Sequence, residues 1–150
     1  GRISTSGTAS ATCARLGDGS LRCWGHNPRG QTGVVGGEYV YASTPNTPAI
    51  TGVVDVSCNG TYCCAVRTDG SVWCWGDNAY GQMGRSPSST IQAPMQVPGI
   101  SGIARVEAGL EHVCALSSSG LVYCWGRNLW GQLGDRTTTD RFAPGVVSGL

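Results

Sequence analysis

The sequence predicts an all-β fold made of propeller-type blades, and three observations lead to this prediction. A segment of about 50 residues occurs three times along the 150-residue chain. Each copy contains two strand-forming stretches separated by a glycine-containing turn. Each copy also carries cysteines at the same two positions. Repetition over the whole length indicates one supersecondary unit that stacks against its own copies.

Two cysteines and a tryptophan define the repeat. The sequence Cys-Ala leads through a turn to Cys-Trp-Gly, and each copy continues as Trp-Gly-x-Asn-x-x-Gly-Gln-x-Gly. The three copies of this second motif occupy residues 24–33, 75–84 and 125–134. We therefore expect a single repeat domain over 1–150, with repeats at approximately 1–50, 51–100 and 101–150.

The first half of each repeat is predicted to be a β-hairpin. In the third copy, two short apolar stretches flank a loop at 118–120, whose last position needs a positive φ that glycine adopts easily. Pairing Ser117 with Leu121 places Cys114 opposite Cys124, and cross-strand cysteines have the Cβ separation that a disulfide needs. The same register gives two further pairs: Cys13 with Cys23, and Cys64 with Cys74.

Two cysteines, Cys58 and Cys63, occur only in the second copy. Because they are gained together, we expect a fourth disulfide that closes the short loop between them. A metal site is the alternative, since Cys63 is adjacent to Cys64 and His112 is available. The chain has no Cys-x₂-Cys pair of the kind that binds zinc. We therefore expect four disulfides, no metal and no cofactor, and an extracellular location, where disulfides persist.

Four strands are expected in each repeat, as in a propeller blade. Short apolar pieces at 50–56 and 100–106 are candidates for a strand before the hairpin, and a fourth strand is expected after the Gly-Gln-x-Gly turn. Three segments are rich in Ser, Thr and Pro and are either solvated loops or carriers of O-linked sugars. They are 43–48, 86–94 and 136–139.

The motif resembles the repeat of the regulator of chromosome condensation family. The resemblance lies in Gly109-x-x-His112-x-Cys-Ala-Leu and in Gly120-x-Val-x-x-Trp125-Gly-x-Asn-x-x-Gly-Gln-Leu-Gly, and it covers essentially the whole chain in triplicate. It implies a β-propeller of four-stranded antiparallel blades, with loops at either rim that bind partners. The paired cysteines depart from the nuclear members of the family and suggest a secreted branch.

The function we expect is that of a non-enzymatic, extracellular binding module. The nucleotide-exchange activity known in the family depends on rim residues outside the repeat motif, so it is not carried over. His112 could act as a base with Glu111 or a serine, but the other copies hold Ala11 and Tyr62 at its position, which favours a structural role. The sequence contains no nucleophile elbow, P-loop or metalloprotease motif. A hydrolytic enzyme is therefore the least favoured function.

Binding residues are expected around the Trp-Gly-x-Asn-x-x-Gly loop of each copy. Large side chains occupy equivalent points in successive copies, and Arg, Tyr and Trp dominate binding hot spots. The alternative is that they pack on the adjacent blade. The candidates for contact with a protein or glycan ligand are Arg29, Tyr80, Trp130, His26, Asp77 and Arg127.

The charge distribution argues against nucleic acid as a ligand. The ten basic side chains are all arginines, scattered among nine acidic ones, and the formal net charge is +1. Phosphate binding needs a concentrated basic stripe, which this chain lacks. No stretch approaches the ~20 apolar residues that span a bilayer, so membrane insertion is not expected.

Asn59-Gly-Thr61 matches the acceptor sequence for N-linked glycosylation. It lies in the loop that the Cys58–Cys63 disulfide would close, and such a loop is expected at the surface. Asn59 is therefore a candidate glycosylation site.

The two ends of the chain match each other across the repeat. Residues 148–150 followed by 1–7 correspond to the internal segment 101–109 with one extra residue. Three blades alone would expose two apolar faces and unpaired strand edges. We therefore expect either further blades of a longer chain or head-to-tail self-association, in which the chain is the structural subunit of an extracellular ring or filament.

Overall fold

The computed structural model of the chain describes residues 1–5, 11–34 and 41–150. These residues form twelve β-strands arranged in three four-stranded antiparallel sheets. Each sheet is built from four consecutive strands in sequence order, so each sheet has the topology of one propeller blade. The predicted all-β fold is confirmed. Within the described part of the chain, no helix is long and apolar enough to cross a membrane.

The strands of the three blades follow the three sequence repeats. The first blade contains β1 (Arg2–Thr5), β2 (Ala11–Arg15), β3 (Leu21–His26) and β4 (Tyr41–Asn46). The second blade contains β5 (Val53–Asn59), β6 (Tyr62–Arg67), β7 (Val72–Asn78) and β8 (Ser88–Gln96). The third blade contains β9 (Ile103–Ala108), β10 (His112–Ser117), β11 (Val122–Gly126) and β12 (Arg141–Val146).

The central hairpin of each blade has the predicted register. The amide of Ser117 donates to the carbonyl of Leu121 over 2.8 Å, and Cys114 lies directly opposite Cys124. The last loop residue, Gly120, has a φ of 89°, as the three-residue loop requires. The hairpins of the first and second blades place their cysteines opposite each other in the same way.

The structure contains four disulfides in the pairing that the sequence predicted. The paired Cα atoms lie 4.1 to 4.2 Å apart, as in the close, non-hydrogen-bonded positions of an antiparallel ladder. Three of the bonds cross a central hairpin, and the fourth joins the ends of two strands in the second blade. They are Cys13–Cys23, Cys64–Cys74, Cys114–Cys124 and Cys58–Cys63.

The hydrophobic core lies between blades. One buried cluster fills the space between the first and second blades, and Trp75 is its largest member. A second cluster, which contains Trp125 and Tyr62, fills the space between the second and third blades. Each face that meets another blade is therefore buried against it, and the stability of one blade depends on the next.

Backbone hydrogen bonds join successive blades at the hairpin turns. The carbonyl of Gly19 accepts from the amide of Val53 over 2.9 Å, and the carbonyl of Gly70 accepts from Ile103 over 3.0 Å. Each bond runs from the hairpin turn of one blade to the first strand of the next. Blade spacing is therefore fixed by the main chain as well as by the side chains that fill the core.

The first strands of the three blades are joined by polar side chains. The Arg2 guanidinium forms an ion pair with Asp55 and lies 3.1 Å from Oε1 of Glu107, so it contacts all three blades. The buried Asp55 carboxylate also accepts a hydrogen bond of 3.0 Å from the amide of Val106. The hydroxyl of Ser57 accepts a hydrogen bond of 3.0 Å from a backbone amide of the third blade. Because these polar groups are paired with one another, their hydrogen bonds and ion pairs offset the free-energy cost of removing them from water.

The segments rich in Ser, Thr and Pro are not simply loops. Much of 43–48 lies in β4, and most of 86–94 lies in β8, whereas 136–139 lies outside the strands. Residues 35–40, which precede the first of these segments, lie outside the described residues. These fourth strands have one unpaired edge and exposed side chains, so the apolar alternation that normally reveals a strand is missing. Proline is tolerated there because an edge strand does not need every amide as a donor.

We predict that reduction strongly destabilises the chain. Each hairpin disulfide spans a sequence separation of 10 residues and should contribute about 2 to 3 kcal/mol by restricting the unfolded chain. Thermal unfolding with and without a reductant measures the loss, and thiol titration of the denatured, unreduced protein should detect no free thiol. Eight titratable thiols in that sample would contradict the prediction.

Candidate functional site

Two kinds of loop meet at one edge of the blades. The antiparallel order places the connection between the first and second strands beside the connection between the third and fourth strands. Backbone hydrogen bonds join them, from Asp77 to the Thr61 carbonyl (3.1 Å) and from Arg127 to the Glu111 carbonyl (2.9 Å). We call this edge the rim edge. Its described segments are 26–34, 59–62, 77–87, 109–112 and 127–140.

The glycine after each motif tryptophan allows these two loops to approach. Gly76 has a φ of 103°, and a Cβ placed there would lie 2.5 Å from the carbonyl oxygen of Thr61. Gly126 has the same conformation, and its Cβ would lie 2.6 Å from the carbonyl oxygen of Glu111. Any side chain would therefore separate the two loops of a blade, which explains why the tryptophan is followed by glycine.

The motif asparagine holds its own loop, as predicted. The Asn78 side chain accepts from the amide of Met83 over 2.9 Å and donates to the carbonyl of Ser86 over 2.8 Å. Asn27 and Asn128 make equivalent bonds in the other blades. One side chain therefore satisfies backbone groups on both sides of the loop.

From the sequence alone, the motif asparagine is expected to bond its own turn, the motif tryptophan to fill the space between sheets, and the motif glutamine to cap a neighbouring strand. The prediction for the glutamine is wrong. Oε1 of Gln82 accepts a hydrogen bond of 2.8 Å from the amide of Tyr80, two residues earlier in its own loop. Gln31 and Gln132 do the same. The loop turns back on itself, so its own amide is nearer to the side chain than any neighbouring strand. The glutamine therefore fixes the two variable positions that precede it.

The contact with the neighbouring blade uses the glutamine backbone. The indole Nε1 of Trp75 donates to the carbonyl of Gln31 over 3.0 Å, and Nε1 of Trp125 donates to the carbonyl of Gln82 over 2.9 Å. Both indoles are fully buried. The sequence identified these tryptophans only as bulk that fills the core. The sequence feature that could have indicated this hydrogen bond is the recurrence of a Trp and a Gln at the same spacing in every copy.

The predicted rim residues all lie at the rim edge, but not all of them lie in loops. His26 is the last residue of β3, and Asp77 lies within the end of β7, although the sequence placed both in the loop. The His26 ring lies 5.7 Å from that of Tyr41. The Asp77 carboxylate accepts from the hydroxyl of Thr61 over 3.3 Å. These two residues are therefore engaged with the strand ends of their own blades.

Tyr80 and Arg127 contact each other across the boundary between the second and third blades. The guanidinium carbon of Arg127 lies 4.6 Å from the centre of the Tyr80 ring, a cation–π geometry. Arg127 also pairs with Glu111, and this carboxylate raises the pKa of Arg127. Tyr80 therefore contacts the adjacent blade, as the alternative interpretation of these large side chains expects. The pair also shows that one variable loop position faces the next blade.

Trp130 is the most exposed aromatic side chain of the described rim edge. It is 84% exposed, and its neighbour Leu129 is half exposed. Oε1 of Gln132 holds the Trp130 backbone amide at 2.9 Å, so the loop beneath the ring is hydrogen-bonded. Arg29 occupies the equivalent position of the first blade and is also exposed, above the same bond to Gln31. The rim edge thus presents large side chains on braced loops.

His112 has a structural environment. Its imidazole lies against Gly109, where any Cβ would approach the ring to 2.1 Å. Burial lowers the pKa of His112, so the neutral ring is favoured. Glu111, the acid considered as its catalytic partner, is paired with Arg127. The Tyr62 hydroxyl lies within hydrogen-bond distance of the His112 backbone carbonyl, which ties this strand to the second blade.

Asn59 is the last residue of β5 and is half buried. Its side-chain amide donates to the carbonyl of Ala108 in the third blade over 3.2 Å. A glycan on this nitrogen would occupy the rim edge between the second and third blades. Glycosylation of Asn59 stays a prediction.

The sequence matches two family models. The model described as "Regulator of chromosome condensation (RCC1) repeat" matches residues 69–116 and 119–150. A second model with the same description matches 3–31, 53–82 and 103–132, one match in each blade. Together they cover most of the chain. The chain belongs to the RCC1 repeat family.

Solved structures give the same result for the fold. Human WBSCR16 superposes with a TM-score of 0.83 at 26% identity over 99% of this chain. A chain in the structure of Kap60 bound to yeast RCC1 (Prp20) gives 0.82 at 18% identity over 99%. Prp20p from Saccharomyces cerevisiae gives 0.80 at 20% identity over 93%. This chain spans 36 to 39% of the length of those chains.

We predict that Trp75→Phe destabilises the chain by about 2 kcal/mol, because it leaves the buried Gln31 carbonyl without its donor. Trp24→Phe is the matched control. Trp24 has the same place in the motif but is only half buried, and within the described residues its indole has no acceptor. Urea unfolding measures both losses. Equal losses of unfolding free energy in the two variants would show that the indole hydrogen bond does not stabilise the contact between blades.

Proposed function

We propose that the chain is a non-enzymatic, extracellular binding module whose rim loops contact a protein or glycan ligand. The observation that carries the proposal is the exposed Trp130 above a hydrogen-bonded loop. A preorganised aromatic side chain can bind without a large cost in conformational entropy. The same loop architecture presents Arg29 in the first blade and Tyr80 in the second. The ligand is therefore expected to contact several successive rim loops.

An extracellular location is supported by the cysteines. All eight cysteines of the chain are paired in disulfides. Such bonds form and persist in oxidising compartments and are rare in the cytosol. Yeast RCC1, a protein of similar fold, has been solved bound to Kap60, so a protein partner is a reasonable ligand class for this chain.

The absence of an enzymatic function is part of the proposal. Glu111, the candidate acid, forms an ion pair with Arg127, and His112, the candidate base, packs on Gly109. The motif residues Asn78 and Gln82 are likewise used to hold their loop. These groups therefore serve the scaffold, and recognition falls to the variable positions.

We predict that Trp130→Ala reduces ligand binding by about tenfold or more, as expected for an aromatic hot spot. Glycan and secreted-protein arrays, probed with the oxidised chain, identify the ligand used for the affinity measurement. Leu16→Ala is the control, because Leu16 is exposed at the hairpin turn, on the opposite edge.

Two results would reject the rim-loop proposal. One is equal weakening by both substitutions, and the other is no ligand on either array. Duplex DNA serves as the negative probe, because the scattered arginines give no basic stripe. Submicromolar binding to DNA at physiological salt would show that the proposed ligand class is wrong.

A second candidate function is assembly into an extracellular ring or filament. Ile3 is 70% exposed on the first blade, whereas its equivalents Val56 and Val106 are fully buried between blades. At the other end, Leu150 is 89% exposed, whereas its equivalent Ile100 is buried. Among residues 1–5, 11–34 and 41–150, these two side chains therefore lack the cover that their equivalents between blades have. A second copy or further blades of a longer chain would supply it.

We predict that the chain self-associates at tens of micromolar and that Ile3→Glu and Leu116→Glu, on the two outer faces, each weaken the association. Leu116 is 39% exposed on the third blade, whereas its equivalent Val66 is fully buried between blades, and a charge at Leu116 could not be buried against a neighbour. Leu110→Glu at the rim edge is the control and should leave association unchanged. Sedimentation velocity measures all four proteins. A monodisperse wild-type monomer would exclude self-assembly without affecting the rim-loop proposal.

A further inference from the structure

Two disulfides meet in the core between the first and second blades. Sγ of Cys13 lies 3.9 Å from Sγ of Cys63, although these atoms belong to different disulfides. Sγ of Cys58 completes a group of three sulfur atoms that all lie within 4.8 Å of one another. Cys23, bonded to Cys13, is the fourth cysteine, and all four are buried. We call these four residues the sulfur cluster.

The cluster arises because adjacent cysteines face opposite sides of a strand. Cys63 and Cys64 are consecutive in β6, so their side chains alternate between its two faces. Cys63 joins the core shared with the first blade, and Cys64 joins the core shared with the third. The metal alternative considered from the sequence, which combined both residues with His112, is therefore geometrically wrong. The sulfur neighbour of Cys63 is instead Cys13, 50 residues earlier.

The next blade boundary is an internal comparison that lacks the cluster. There the Cys64–Cys74 disulfide takes the place of Cys13–Cys23. The residues equivalent to Cys58 and Cys63 are Ala108 and Val113, as the strand registers show. The fold therefore accepts either two apolar residues or two cysteines at these positions. The cluster is an addition to one boundary and is not required by blade packing.

We propose that the sulfur cluster, when reduced, binds one Zn²⁺ ion through the thiolates of Cys13, Cys23, Cys58 and Cys63. Tetrahedral zinc with Zn–S bonds of about 2.3 Å holds its sulfur ligands about 3.8 Å apart. The separation of 3.9 Å between Cys13 and Cys63 already matches that spacing. After reduction, the sulfurs within each former disulfide must separate to that spacing, and Sγ of Cys23, which lies outside the group of three, must move toward Cys58 and Cys63.

The chemistry balances with an external dithiol as the reductant. Each disulfide accepts two electrons and two protons, and the dithiol that supplies them becomes a disulfide. Zn²⁺ then displaces the four thiol protons, because thiolate is the form of cysteine that binds metal. The ion would connect strands of two blades, as the packed disulfides do in the oxidised chain. The site goes beyond rim-loop binding and does not depend on it.

The test uses Co²⁺ as a spectroscopic substitute for Zn²⁺. The full chain is reduced in denaturant and refolded anaerobically with Co²⁺, and visible absorption reports tetrahedral thiolate coordination. We expect one Co²⁺ per wild-type chain, displaced by Zn²⁺. The variant with both Cys58→Ala and Cys63→Val copies the third-blade residues and should show no such spectrum. Cys114→Ala with Cys124→Ala removes an unrelated disulfide and should retain the full signal.

A second measurement covers a reduced chain that does not fold without metal. In that case, Zn²⁺ should restore the β-sheet circular dichroism of the reduced wild type and should leave the Cys58→Ala, Cys63→Val variant unfolded. Three results would overturn the proposal: no tetrahedral thiolate spectrum in the wild type, an equal spectrum in the Cys58→Ala, Cys63→Val variant, or a reduced wild type that Zn²⁺ fails to refold.

Discussion

The fold depends on one hydrogen bond that recurs between blades, from a buried tryptophan indole to a glutamine backbone carbonyl. A four-stranded sheet has two faces, and a chain of blades must cover each face with a neighbour placed at a fixed depth and angle. The hydrogen bonds from Trp75 to Gln31 and from Trp125 to Gln82 set that position. At the correct depth and angle, the buried indole donor and the buried carbonyl acceptor satisfy each other. Tryptophan and glutamine belong to the same motif. In the second blade, the motif therefore contacts the blade before it through Trp75 and offers the Gln82 carbonyl to the blade after it.

This arrangement separates the scaffold from the surface that it presents. Asn78 and Gln82 hold their loop through its backbone, so the loop does not depend on the identity of the residues at its tip. The tips can then differ between copies, as Tyr80 and Trp130 do, without altering the blade. Variable side chains on loops fixed by invariant hydrogen bonds are the arrangement by which a rigid scaffold supports recognition. Tyr80 is the exception among these tips, since it faces the next blade and stacks on Arg127.

How much the sequence predicts depends on the distance over which each interaction acts. The hairpin register, the turn glycines and the disulfides follow from spacings of ten residues or fewer, so local geometry determines them. The fourth strands were less visible, because an exposed edge strand such as β8 does not need alternating apolar residues. The role of the glutamine was misread because its side chain reaches both its own loop and a neighbour, and only the loop geometry decides between them. The contact of Cys13 with Cys63 joins residues of different blades, which no pattern within one repeat could report.

The two blade boundaries show what the repeat specifies and what it leaves free. Both have the same main-chain bonds, from Gly19 to Val53 and from Gly70 to Ile103, and the same tryptophan contact. Their interiors nevertheless differ in chemistry, with four cysteines clustered at the first boundary and Tyr62 at the second. Because turns and backbone acceptors fix the blade spacing, the buried positions between blades need only to fill a constant volume. Substitutions there can therefore introduce new chemistry without altering the fold, and this is why the motif predicts the architecture far better than it predicts what each boundary can do.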